Sequence, residues 1–143
     1  MIQRIQSIFL LIAAIASFAL LGTPFASAKE TIASPIFADS VYNLNDHIAL
    51  LLIFIVAGAL ALASIFLFKN RATQMRIASI SMVANLIGVG FALFLLFQNK
   101  VDFNSLVLSV GAFLPLIAIV FELLANRSIR KDEKLVRSMD RLR

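Results

Sequence analysis

The chain of 143 residues contains no cysteine and a single histidine. The first absence excludes a disulfide framework, thiol chemistry and any cysteine-based metal site. The second leaves a metal site resting on His47 with the nearby carboxylates Asp39 and Asp46, which is a weak ligand set. His47 is read as a polar residue at the start of a helix, with Asn45 or Asp46 as its cap. Charge is also scarce: charged residues make up 15% of the chain, against about 25% in ordinary soluble domains. No phosphate loop, dinucleotide fingerprint or HExxH pattern is present, and no serine has a convincing base near it in sequence. These gaps argue against an enzyme, and no cofactor is expected.

What fills the chain is apolar: 61% of its residues are hydrophobic and the mean hydropathy is +0.96. A domain this small cannot bury that much apolar surface in its own interior, and disordered chains are poor in hydrophobic residues. The composition is that of a membrane protein.

The apolar residues fall into separate runs. Ile5 to Ala28, Ile48 to Phe68 and Ile77 to Phe97 carry no ionisable residue, and Leu106 to Leu124 carries one, Glu122. A bilayer core about 30 Å thick needs roughly 20 helical residues, and lipid offers the backbone no hydrogen-bond partner, so isolated spans are helical. Four transmembrane helices are therefore predicted at about 5–25, 48–68, 77–97 and 106–124. They form a single membrane domain over 1–143, with a basic tail at 125–143.

Basic residues orient the spans. Arg4, then Lys69, Arg71 and Arg76, then Arg127, Arg130, Lys131, Lys134, Arg137, Arg141 and Arg143 share one side; only Lys29 and Lys100 lie on the other. Positive charge is retained in the cytoplasm, so both termini are expected inside. The +5 net charge and pI near 10.3 thus report orientation and an attraction to anionic headgroups, not nucleic-acid binding. Residues 1–28 admit a second reading as a secretory signal ending at Ala26-Ser27-Ala28; charge bias does not separate it from a retained helix.

In lipid, helices associate through small residues and interhelical hydrogen bonds. Such residues recur at helical spacing: Ala13 and Ser17; Ala57, Ala61 and Ser64; Ser81, Asn85, Gly88 and Ala92; Ser105, Ser109 and Ala112. With short connections, the expectation is an all-α, up-down bundle of four helices. Asn85 is expected to make an interhelical hydrogen bond, Gly88 and Gly90 to permit close approach, and Pro115 to kink the fourth helix. Glu122 is read as an interfacial ion pair with Arg127 or the Lys69–Arg76 loop, or as a proton or substrate group.

The tail carries Ile129, Leu135, Val136, Met139 and Leu142 on one helical face, with Glu133 four residues before Arg137. This basic amphipathic C-terminal helix suits an anionic leaflet, the cytoplasmic part of a partner, or a solvated extension of the fourth helix that serves as a topology anchor.

Three segments carry a resemblance: MIQRIQSIFLLIAA at the start, IFLFKNRATQMRI at 65–77 and ANRSIRKDEKLVRSMDRLR at 125–143. Together they resemble a family of small bacterial membrane proteins known as domain of unknown function 4293. The resemblance implies an inner-membrane protein with four helices, retention of the first, and no assigned activity. It directs interest to the cytoplasmic surface of Lys69, Asn70, Arg71, Arg130, Lys131, Asp132, Glu133, Lys134 and Arg137, with Asp132 or Glu133 pairing with Lys69 or Arg71. The favoured reading is a non-enzymatic interaction protein using this surface on lipid or on another membrane or cytoplasmic protein. The alternative is a small transporter or channel subunit using Asn85, Gly88, Gly90, Pro115 and Glu122 along one polar path.

Overall fold

The computed structural model describes residues 3–29 and 39–140. Four long helices, α1 (Gln3–Ala19), α2 (Ile48–Phe66), α3 (Arg71–Gln98) and α4 (Leu114–Asp140), pack side by side, each chiefly against two others. α1 lies between α4 and α2, and α3 lies between the same two. With the short 3-10 turns that extend two of them, all four are long and apolar enough to cross a membrane.

The bundle is apolar on its outside as well as in its core, and polar side chains are set within that core. Ile8, Leu11, Ile15, Leu52, Val56, Ile80, Val83, Ile87, Val120 and Leu123 point outward, whereas Gln6, Ser17, Ser64, Gln74, Ser81, Asn85 and Glu122 are buried. An apolar surface of this extent is foreign to soluble monomers. The contact faces are lined by Ala13, Ala57, Ala61, Ala78, Ala118 and Ala125, all fully enclosed, and their small side chains let the backbones approach. The small-residue stripes on the first three helices therefore face inward as expected.

The fourth does not. Residues 105–113 are not α-helical: Leu106–Leu108 forms strand β3, followed by a 3-10 turn at Val110–Ala112. β3 pairs antiparallel with β1 (Ala26–Ala28), which pairs on its other edge with β2 (Val41–Tyr42). The order β2-β1-β3 makes a small three-stranded sheet among the described residues, capping the end of the bundle opposite the α2–α3 turn. The four-helix fold thus carries a small sheet that was not expected, and the helical stripe of Ser105, Ser109 and Ala112 is corrected. The backbone gains a sheet ladder in place of a helical one: Ser109 N–H donates to Phe25 O at 3.0 Å and Gly111 N–H to Pro24 O at 3.1 Å. A Cβ on residue 111 would stand 2.3 Å from that Pro24 oxygen, so only glycine fits the approach.

Pro115 consequently does not kink a span. It is the second residue of α4, where a helix N–H has no intrahelical partner to lose. One further expectation shifts at a helix end. His47 itself caps α2, its Nδ1 accepting from Ala49 N–H at 3.2 Å, while Asn43 caps the preceding 3-10 turn and its N–H donates to the carboxylate of Asp46, the turn's last residue, at 2.5 Å. The tail extends the fourth helix: α4 runs unbroken to Asp140. Ile129 seals the bundle, and Leu135, Val136 and Met139 are exposed past it. Arg141, Leu142, Arg143 and the side chain of Arg137 lie outside the described residues.

Candidate functional site

Inner-face residues of α3 and α4 recur every three or four positions, so the polar ones stack along the bundle axis. α3 turns Gln74, Ala78, Ser81, Asn85, Gly88 and Ala92 inward, and α4 turns Pro115, Ala118, Glu122, Asn126, Ile129 and Asp132 inward. The two helices run antiparallel, which sets Glu122 against Ser81 and Asn85.

Glu122 has no exposed surface. Its Oε1 contacts the Ser81 hydroxyl, and Asn85 Nδ2 lies 3.3 and 3.4 Å from its two oxygens. The far side of the Asn85 amide faces α1, where the Ser17 hydroxyl lies 3.3 Å from Asn85 Oδ1 and 3.1 Å from the Ala13 carbonyl, sharing its one proton between them. The Ser81 Oγ also lies 2.8 Å from the carbonyl of Ala57 on α2. One cluster thus ties all four helices together. Asn85 makes the interhelical hydrogen bond expected of it. Glu122 is not the interfacial ion pair expected: it is enclosed by α1–α3, and among the described residues no cation pairs with it.

A second polar group lies nearer the start of α1. The amide of Gln6 donates to the Asp132 carboxylate, and Asn126 Nδ2 donates to Ser79 Oγ at 3.1 Å. Gln74 Nε2, Asn126 Oδ1 and Asp132 Oδ1 are buried there without a hydrogen-bond partner. The expected pairing of Asp132 with Lys69 or Arg71 is replaced by the bond to Gln6, because Asp132 faces inward. Asn70 is the N-cap of α3, its Oδ1 accepting from Thr73 N–H at 3.2 Å. Lys69 is exposed, Arg71 and Glu133 are half-buried.

On the outer face of the same end, Arg127, Arg130, Lys131 and Lys134 line a groove of about 240 Å³. Their spacing of three, four and seven places them on one helix face. Arg127 was not among the surface residues singled out from sequence; its register with the other three is the signal that finds it.

The remaining residues of the expected polar path are not brought together. Gly88 packs under the ring of Phe54, and Gly90 faces open space. Pro115 lies nearer the sheet, lining an apolar cavity with Phe25, Tyr42, Ala92 and Leu96. The Tyr42 hydroxyl there donates to Ala92 O at 3.1 Å. Burial, and secondarily the negative charge of Asp46, hold this phenol well above its ordinary titration range. Among the described residues no group of three or more His, Asp or Glu side chains gathers to hold a metal.

A family model described as a domain of unknown function, DUF4293, matches residues 2–142. No curated protein and no solved structure matches the chain.

Proposed function

The chain belongs to the DUF4293 family, for which no activity is described, and we propose that it is a non-enzymatic membrane bundle whose basic end binds the headgroups of anionic lipids. The observation that carries this reading is the groove of Arg127, Arg130, Lys131 and Lys134. It lies just past the apolar stretch of α4, at the depth where a phosphodiester would sit against a spanning helix. Each basic side chain near an anionic leaflet contributes about 1 kcal/mol of attraction. The exposed Leu135, Val136 and Met139 extend an apolar surface beyond it. In this reading both termini and the groove are cytoplasmic, since eleven of the thirteen basic residues lie on that side. Retention of α1 is part of this reading, supported by β1 at Ala26–Ala28, the central strand of the sheet, which cleavage after Ala28 would remove; the intact mass of protein purified from membranes checks this.

The test is lipid retention by native mass spectrometry in detergent. The protein is expected to keep phosphatidylglycerol or cardiolipin over phosphatidylcholine, and to lose that preference when Arg127, Arg130, Lys131 and Lys134 are all replaced by glutamine. Equal retention of anionic and zwitterionic lipid by the unaltered protein rejects the reading. A reproducible crosslinked partner at the groove in that event moves the function to protein docking.

A further inference from the structure

The Glu122 cluster holds one contact more than an ionised carboxylate can turn into a hydrogen bond. Ser81 has one hydroxyl proton, yet its oxygen meets both the Ala57 carbonyl at 2.8 Å and Glu122 Oε1. When Ser81 donates to Ala57, the contact with Glu122 is a hydrogen bond only if the proton is on the carboxyl group. The remaining donor, the Asn85 amide, reaches both carboxyl oxygens only at long distance. Nor, among the described residues, does a counter-charge face it: the apolar runs of α1, α2 and α3 contain no ionisable residue. On α4, Arg127 is exposed, and Asp132 lies ten residues on, about 15 Å along the axis, held by Gln6. An unpaired carboxylate in such a setting carries a heavy desolvation cost, whereas the acid does not.

We propose that Glu122 is a proton-binding site, in which the carboxylic acid donates to Ser81 Oγ while Ser81 donates to the Ala57 carbonyl, and that its proton exchanges through the Asp132 end of the bundle. The step is a simple one. Water at that end takes the proton, Glu122 becomes a carboxylate, and the Ser81 hydroxyl rotates from Ala57 to the carboxylate. The direction rests on the unequal ends. Towards Asp132, Asn126 lies one turn from Glu122, and three buried polar atoms, on Gln74, Asn126 and Asp132, have no protein partner. Such atoms are what a transient water would bind. Towards the sheet, the interior is closed by Leu20, Phe25, Leu50, Phe54, Ala92 and Leu95. This site is separate from the basic groove and stands or falls without it.

Infrared spectroscopy of the full chain in lipid nanodiscs tests both parts. At neutral pH the unaltered protein is expected to show the carbonyl stretch of a buried carboxylic acid. The band should vanish in Glu122→Gln, an isostere of the acid that keeps the fold, and move in Ser81→Ala, where its acceptor is gone. No such band at neutral pH, or one that persists in Glu122→Gln, overturns the site. After a jump to high pH the band should decay more slowly in Asn126→Leu than in the unaltered protein. An unchanged decay in that variant overturns the exchange route.

Discussion

The ring of Phe54 occupies the space that a side chain on residue 88 would need: a Cβ built on Gly88 would stand 2.6 Å from the Phe54 Cζ. Phe54 is fully buried in the apolar layer between the Glu122 cluster and the sheet, so it has little room to give way. Gly88→Ala is expected to destabilise the bundle by about 1–3 kcal/mol, the usual cost of overpacking. Gly90→Ala, two residues on and facing open space, is expected to be neutral or to stabilise by up to about 1 kcal/mol through helix propensity. Thermal unfolding of the two variants in the same detergent checks the contrast; equal effects would show that Phe54 moves aside.

Gln6 and Asp132 are coupled across the chain, and neither is exposed. Gln6→Leu leaves a buried carboxylate without its donor, and Asp132→Leu leaves a buried amide without its acceptor. Each single change is expected to cost about 1–3 kcal/mol. The double replacement should cost less than the sum, because no orphaned partner remains. A double-mutant cycle measures that difference, and strict additivity would mean that the two side chains do not interact.

Tyr42 is the only tyrosine, and the chain has no tryptophan, so its ionisation can be followed directly by ultraviolet absorbance. The folded state raises this phenol above its ordinary value of 10.0. The fold therefore favours the neutral form. Stability tied to it is complete below about pH 10 and is lost as pH rises above that value towards the folded one. Tyrosinate absorbance is expected to appear near pH 10 in the denatured chain and only at distinctly higher pH in the folded one. Coincident titrations would place Tyr42 in water.

The absence of cysteine lets orientation be read with single introduced thiols. Asn45, at the sheet end, and Lys69, at the α2–α3 turn, are both exposed. In intact cells, Asn45→Cys is expected to react with a membrane-impermeant maleimide and Lys69→Cys only after permeabilisation. The reverse pattern would invert the proposed topology and move the basic groove to the outer leaflet.

Much of this architecture was legible along the chain. Apolar runs of span length located α1, α2 and α3 because hydropathy is a sum over consecutive residues, and sums need no knowledge of neighbours in space. The run at 106–124 misled for the same reason. Leu106–Leu108 is as apolar as any helix, and its choice of strand depends on Ala26–Ala28, some eighty residues earlier. Pro115, read as a kink inside a span, became a helix start once that strand had claimed the residues before it.

Glu122 marks the boundary most clearly. Its place two residues from the end of an apolar run suggested an interface, but α4 continues to Asp140, and α1 reaches down beside it as far as the Gln6–Asp132 bond. The bundle therefore extends well past Glu122 and encloses it. Residue types and their order determined by themselves that this protein is four apolar helices with basic residues sorted to one side. Only the tertiary structure decided which face of each helix turns inward, and so which polar groups meet. A helix's rotation about its axis and its register against its neighbours are set by how small side chains such as Ala57, Ala78 and Ala118 fit together, and that fit is a property of pairs of surfaces, not of any single run of sequence.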